Sequence, residues 1–212
     1  DGCSSDCNKR PVLPWLGSDS GTLVSDKLCP SGSLGVGFAA GYNGNQLEDA
    51  CLICRAVGDS GLGATTYVAT TGNQCQIANE VRCDVEVDGT ALDSVAVSAT
   101  VWFNDNQRVA GLALGCQSLA AVGTDWGTHS EVGGPKPGAT SSLQDQCDSD
   151  QALGGFSASL DGSALTGFQF ICTGACSEDD EADECGVCGG SGAPTWYQDV
   201  DADGFGDPNL FL

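Results

Sequence analysis

Short apolar runs alternate with Gly, Asn, Asp and Ser over residues 12–176 of this 212-residue chain. Residues 95–101 read Val-Ala-Val-Ser-Ala-Thr-Val, in which one set of positions (Val95, Val97, Ala99, Val101) is entirely apolar and alternates with Ala96, Ser98 and Thr100. A period of two places successive side chains on opposite faces, which is typical of a strand. No helical period persists for more than about ten residues. The pattern therefore predicts a body that is mostly β.

Two segments within the body repeat the same spacing. In each, a Phe follows a Cys by nine residues and a second Cys comes 16 residues later: Cys29, Phe38 and Cys54 in the first segment, and Cys147, Phe156 and Cys172 in the second. Each segment predicts two strands joined by a turn near Gly44 or Gly162, with the cysteines at the outer ends of the hairpin. We therefore predict the disulfides Cys29–Cys54 and Cys147–Cys172. Each closes a loop of about 25 residues, for which loop-closure entropy gives on the order of 3 kcal/mol.

A third, weaker copy of this unit lies between the other two, and it allows two alignments. In the first, residues 88–92 match residues 161–165, Cys75 lies near the leading Cys, and Ala99 takes the place of the trailing Cys. In the second, Cys116 is the trailing Cys and Val109 replaces the Leu of the pattern. Spacing alone does not decide between them. Either way, three related β units fit one compact body better than a linear solenoid.

The cysteine content indicates the compartment. The chain has 13 cysteines and no Met. Disulfides persist in oxidising compartments, and an odd number leaves at least one Cys free or paired outside this chain. No apolar run approaches the roughly 20 residues of a membrane helix. We expect a piece of a secreted or cell-surface protein without direct membrane insertion, whose first residue is a processing or excision point.

The charge of the chain restricts its partners. Asp and Glu number 29 and Lys and Arg only 7, so the net charge is −22. Such a surface repels phosphate backbones and anionic headgroups, which argues against nucleic-acid and peripheral membrane binding. Divalent cations are the partners that it favours.

An acidic loop near the end of the sequence predicts a calcium site. Residues 199–207 read Asp-Val-Asp-Ala-Asp-Gly-Phe-Gly-Asp, with Gly at loop position 6. Ca²⁺ takes six to eight oxygen ligands, and this spacing supplies several around one ion. The predicted ligands are Asp199, Asp201, Asp203 and Asp207 with the carbonyl of Phe205. Loop position 12 is Leu210 instead of the Glu of an EF-hand, and no helical pattern flanks the loop, so we do not expect an EF-hand pair.

Both ends of the chain resemble parts of other modules. Residues 196–208 resemble the thrombospondin type 3-like calcium repeats of bacterial surface proteins, and residues 185–190 resemble the Cys-Gly linker that often precedes them. Residues 1–7 resemble the end of a Cys-rich repeat of myxobacterial surface proteins. These resemblances imply neighbouring modules in a longer polypeptide. They divide the chain into the end of an upstream repeat (1–11), the body (12–176), an acidic and Gly-rich linker (177–194) and a truncated calcium repeat (195–212).

The body itself resembles a known fold. The first unit begins with Cys-Pro-Ser-Gly-Ser at 29–33 and continues with Gly-Phe, a Gly turn and a Leu-rich strand that ends in Cys. This order resembles the repeat of vitelline-membrane outer-layer proteins and of jacalin-like bacterial modules. Those folds are β-prisms, in which three Greek-key sheets surround a pseudo-threefold axis. The resemblance implies a β-prism-like body, with a β-sandwich as the alternative. Lectins of that fold bind sugars through Gly-rich loops ending in Asp, but no counterpart here is clean enough to assign sugar-binding residues.

Catalytic and zinc sites receive little support. His129 is the only His, so a Ser-His-Asp or Cys-His site would have to use it, and it lies in a Gly/Pro-rich stretch. A zinc site could be built from the four cysteines Cys172, Cys176, Cys185 and Cys188, although an oxidising compartment favours disulfides.

The function that the sequence favours is therefore noncatalytic. We expect a calcium-stabilised recognition or adhesion module of a large bacterial surface protein, with a surface glycan or another extracellular polymer as its partner. One alternative is a structural subunit that packs against copies of itself in a fibre or sheath. The other is an extracellular hydrolase.

Overall fold

The computed structural model describes residues 12–58, 61–70, 79–85, 93–119, 130–133, 138–148 and 151–174. Within these ranges the chain is all β, with twelve strands and no α-helix. In chain order the strands are β1 (Leu16–Gly17), β2 (Thr22–Leu28), β3 (Ser33–Asn43), β4 (Gln46–Gly58), β5 (Gly61–Ala69), β6 (Glu80–Arg82), β7 (Ser94–Asn104), β8 (Val109–Ser118), β9 (Ser130–Gly133), β10 (Ala139–Gln146), β11 (Gln151–Asp161) and β12 (Ala164–Gly174). No helix of the described residues is long and apolar enough to cross a membrane.

The strands form three four-stranded antiparallel sheets, ordered β1-β12-β11-β2, β5-β4-β3-β6 and β10-β7-β8-β9. Each sheet has a central hairpin, β11–β12, β3–β4 or β7–β8, with an outer strand on either side. In the second sheet β6 returns to pair with β3 beyond the hairpin, which is a Greek-key connection. The body is thus a β-prism with three related sheets, as predicted, and the β-sandwich alternative is wrong because a sandwich has only two.

One apolar core lies between the three sheets. Phe38 of β3 packs edge-on against Phe156, Phe168 and Phe170 of the first sheet, with ring centroids 5.6, 6.3 and 5.8 Å away. The third sheet contributes Leu114 to the same core. Since aromatic rings bury a large area each, this cluster joins the sheets despite the low aromatic content.

Some strands are buried on both faces. Along β4, Leu52 and Cys54 belong to the central core, whereas Cys51 and Ile53 belong to a second apolar cluster on the opposite face. All four are at most 1% exposed. This explains why residues 50–54 form a continuous apolar run instead of an alternating one.

The structure contains the disulfides Cys29–Cys54 and Cys147–Cys172, the two pairs predicted from the repeat, each with a Cα–Cα distance of 5.7 Å. A third disulfide, Cys83–Cys116, occupies the corresponding place in the middle unit. Cys51 is also disulfide-bonded. Because Cys54 pairs with Cys29, the Cys51-Leu52-Ile53-Cys54 segment is not a redox-active pair.

The third disulfide decides between the two alignments of the middle unit. Val109 precedes Cys116 by seven residues, as Leu47 precedes Cys54 and Leu165 precedes Cys172. The second alignment is therefore confirmed. The first is wrong, because Ala99 pairs with Leu114 inside the β7–β8 hairpin instead of ending a unit. Cys75 and residues 88–92, on which the first alignment relied, lie outside the described residues.

Candidate functional site at the hairpin tips

The tips of the three central hairpins meet at one end of the prism. The hydrogen bonds described below join residues 43–48, 104–108 and 161–163, which come from different sheets. We call these three segments together the polar end. The disulfides lie toward the other end of the same hairpins. Each joins the second strand of a hairpin (β4, β8 or β12) to the residue that follows an outer strand of a neighbouring sheet (β2, β6 or β10).

Two of the three tips are two-residue turns that begin with Gly. Gly44 and Gly162 both have a φ of 64°, in the left-handed region that favours glycine. Hairpins with two-residue loops favour Gly at the first central position, and this preference explains the Asn-Gly-Asn and Asp-Gly-Ser sequences at the two tips. Short tight turns keep the flanking side chains on the ends of rigid strands.

The third tip is longer and is organised by a buried amide. Asn104 is 1% exposed, and its Oδ1 accepts hydrogen bonds from the backbone N–H groups of Asn106 (3.0 Å) and Arg108 (3.1 Å). Its Nδ2 donates to the backbone carbonyl of Asn45, 3.1 Å away in the neighbouring tip. The Asn104 side chain therefore shapes its own loop and attaches that loop to the β3–β4 hairpin.

Arg108 connects all three tips. Its Nη1 donates to Gln46 Oε1 at 2.8 Å, and its Nη2 donates to Asp161 Oδ2 at 3.2 Å. The guanidinium is a planar fork, so it fixes the direction of both partners as well as their distance. The side chains of Arg108 and Asp161 are 34% and 71% exposed, so the link remains at the surface.

Glu48 makes a second link between tips. Its Oε1 accepts hydrogen bonds from Asn43 Nδ2 and from Ser163 Oγ, both at 2.8 Å. These donors, Asn43 first and then Ser163, lower the pKa of the Glu48 carboxyl below its ordinary value. Glu48 is therefore ionised at neutral pH and attaches the β3–β4 tip to the β11–β12 tip.

The polar end presents a defined set of hydrogen-bonding groups to solvent. Exposed amides come from Asn45 and Asn106, and an exposed carboxylate comes from Asp105. Amides both donate and accept hydrogen bonds, whereas carboxylates only accept. Among the described residues, no three His, Cys, Asp or Glu side chains are grouped so that they could hold a metal ion. The arrangement is suited to hydrogen-bonding a polyhydroxylated molecule.

A separate ionic network supports the second sheet. Asp84, whose side chain is 1% exposed, pairs with Arg55 at 3.0 Å and with Arg82 at 2.8 Å. Burial alone would raise the pKa of Asp84, but hydrogen bonds from Arg82 and Arg55 outweigh it and the pKa is lowered. The adjoining Cys83 is disulfide-bonded to Cys116. We regard this network as structural, since it joins β4 to the segment after β6.

The structure does not test the calcium ligands or the histidine predicted from sequence, and it contradicts the predicted zinc ligands. The proposed calcium ligands Asp199, Asp201, Asp203, Phe205 and Asp207, as well as His129, lie outside the described residues. Of the four possible zinc ligands, Cys172 is in a disulfide with Cys147, so the four-cysteine zinc site is wrong. The polar end was missed. One feature of the sequence could have indicated it. Gly44 and Gly162 occupy the same position in two related units, so the turns of both hairpins are expected at the same end of the body.

No protein-family model and no curated protein matches this chain. Among solved structures, the chain is similar to Calystegia sepium agglutinin, with a TM-score of 0.48, 11% identity, and coverage of 78% of this chain and 97% of that one. It is also similar to a mannose-binding jacalin-related lectin from Ananas comosus (TM-score 0.45, 12% identity, 78% and 98% coverage). A third is the second β-prism domain of RbmC from V. cholerae, bound to N-acetylglucosaminyl-β-1,2-mannose (TM-score 0.41, 12% identity, 76% and 99% coverage). Identities this low assign no role to any side chain of the polar end.

Proposed function

We propose that this protein is a noncatalytic recognition module that binds a glycan at the polar end. The observation that carries the proposal is the convergence of three hairpin tips into one surface of amide, carboxylate and guanidinium groups. Each sugar hydroxyl both donates and accepts hydrogen bonds, so a glycan needs donors and acceptors side by side at fixed positions. The polar end supplies both kinds from three different sheets.

Rigidity of the framework supports the same proposal. The tips extend from strands that are joined by three disulfides and a common core, and they are linked to one another through Arg108 and Glu48. A sugar makes weak individual contacts, so its affinity is low if the protein must lose much conformational entropy on binding. Preformed tips reduce that cost.

A glycan array probed with the full chain tests the proposal. Binding to an array glycan should then be measured by calorimetry for Asn45→Ala and Asp105→Ala, which remove exposed groups of the polar end. We expect each variant to lose at least about fivefold in affinity at an unchanged melting temperature, the loss of roughly one hydrogen bond. Asp148→Ala, an exposed carboxylate at the opposite end of the hairpins, is the matched control and should bind like the wild type.

Other results would overturn the proposal. Binding that is insensitive to both tip variants would place the site elsewhere. Ordered polymerisation without glycan binding would support the fibre or sheath alternative, and hydrolytic activity that is lost in His129→Ala would support an enzyme.

We further propose that the module functions at a bacterial cell surface and that its acidic loop binds Ca²⁺ through Asp199, Asp201, Asp203, Asp207 and the carbonyl of Phe205. Four carboxylates within nine residues repel one another, and a bound ion would remove that repulsion. Calcium titration followed by protease sensitivity of the C-terminal segment tests this. An unchanged response in Asp201→Ala would contradict the assignment.

A further inference from the structure

We infer that the ion pair between Asp161 and Arg108 sets the charge specificity of the polar end, so that it takes uncharged or ammonium-bearing sugar units and rejects carboxylate-bearing ones. The inference rests on the proposed glycan-binding function and adds the ligand class and the residues that determine it.

The first step is the state of the cation. Four described residues are basic, namely Lys27, Arg55, Arg82 and Arg108, and of these only Arg108 lies in the polar end. Both of its terminal nitrogens already donate, one to Gln46 and the other to Asp161. A sugar carboxylate is normally bound by a guanidinium fork that offers two N–H groups in parallel. Here one N–H of each terminal nitrogen is used by the protein's own groups, and the charge of the guanidinium already faces the Asp161 carboxylate.

The second step is the surrounding charge. Glu48, Asp105 and Asp161 belong to the polar end, against one Arg, and the whole chain carries −22. An anionic sugar would meet these three carboxylates, and the one cation that the described residues place among them is already paired with Asp161. Like-charge contacts across an interface strongly disfavour a partner. An ammonium-bearing sugar would instead be attracted by the same carboxylates.

The third step is the small contribution that the pair is expected to make to stability. Asp161 is mostly exposed and Arg108 is one-third exposed, and exposed ion pairs contribute little to stability. Substitutions at either residue should therefore change ligand choice while leaving the fold intact, which the melting temperature will verify.

The experiment uses matched probes. Disaccharides of glucose, galactose and mannose are each prepared in a neutral form, a 6-amino form and a C6-carboxylate form, and their affinities are measured at low salt. For a sugar whose neutral form binds, we expect the carboxylate form to bind at least about tenfold more weakly and the amino form at least as well. The difference should shrink at 0.5 M salt, where charges are screened.

Variants distinguish the effect of the Arg108–Asp161 ion pair on specificity from the effect of the protein's overall negative charge. Asp161→Asn releases one arm of Arg108, so the ratio of carboxylate-form to neutral-form affinity should rise at least about fivefold. Arg108→Gln removes the cation and should lower that ratio. Asp148→Asn removes the same charge far from the tips and should change the ratio less than twofold.

The outcomes are distinct. If no neutral form of any sugar binds the wild type while the array also shows no binding, the proposed function fails. If neutral and carboxylate forms bind equally, or if Asp161→Asn and Asp148→Asn shift the ratio alike, glycan binding stands and the charge-specificity inference is overturned.

Discussion

The two ends of the hairpins are held together by different kinds of bond. At one end, three disulfides join buried cysteines that belong to the same apolar core as the Phe cluster. At the polar end, side-chain hydrogen bonds and one exposed ion pair join the tips. Covalent links and aromatic burial are worth several kcal/mol each, whereas an exposed ion pair is worth about 0–1 kcal/mol.

This difference separates stability from recognition within one small body. The disulfide end and the core can maintain the fold while the residues of the tips vary, because few of the tip side chains contribute to the core. Exposed side chains of the tips can therefore be substituted to test binding while the protein stays folded. The following predictions examine that separation.

The largest effect should come from the core. Phe38→Ala removes the ring that touches three phenylalanines of another sheet, and it should lower the free energy of unfolding by about 3–5 kcal/mol. Urea denaturation measures this. Leu143→Ala, at a side chain 48% exposed, is the control and should change stability by less than about 1 kcal/mol. Similar losses in the two variants would contradict a central core built on the Phe cluster.

Next in size is the disulfide end. The Cys29→Ala/Cys54→Ala double variant removes a link with a sequence separation of 25, which should cost on the order of 3 kcal/mol. Full reduction of the wild type should lower the melting temperature further, because the other disulfides are lost as well. A melting temperature that is unchanged on reduction would show that the disulfide end does not stabilise the body.

A smaller and pH-dependent effect should come from the Asp84 network. The pKa of Asp84 is lowered in the folded protein, so its stabilising contribution is complete above the ordinary carboxyl pKa and is lost as the pH falls through the lowered value. Asp84→Asn should cost about 1–3 kcal/mol at pH 7 and flatten the loss of stability below about pH 4. Asp148→Asn, at an exposed carboxylate, is the control for the loss of one negative charge. An acid profile unaltered in Asp84→Asn would show that other carboxyls determine it.

The smallest effect should lie at a tip. Gly44→Ala places a side chain at a φ of 64° and should cost about 1 kcal/mol, although no atom lies within 4 Å of the added Cβ. Gly58→Ala is the matched control, since its Cβ also meets open space and its φ is not in the left-handed region. Chemical denaturation of both variants measures the free-energy cost of placing a side chain at a left-handed backbone conformation. Equal stability of the two would mean that the tip relaxes at no cost.

The predictability of each unit depended on where the chain inserts residues. In the outer units the leading Cys precedes its Phe by nine residues, and the same spacing appears twice. In the middle unit Cys83 precedes Ala99, the residue in the corresponding register, by 16 residues. The middle unit therefore lacks both features that define the repeat in the outer units, namely the nine-residue spacing and the Phe. Only the Cys83–Cys116 pairing identified the correct register.

The all-β class, the two outer hairpins and their disulfides could be predicted without the structure, because periodicity, Gly turns and cysteine spacing are local properties of a strand–turn–strand unit. The tertiary structure alone decided that the three tips share one end and that Arg108 reaches both Gln46 and Asp161. These partners are 62 and 53 residues away in the chain, so no local pattern links them. Their proximity follows from packing three sheets around one core, which is a property of the assembled prism and not of any segment.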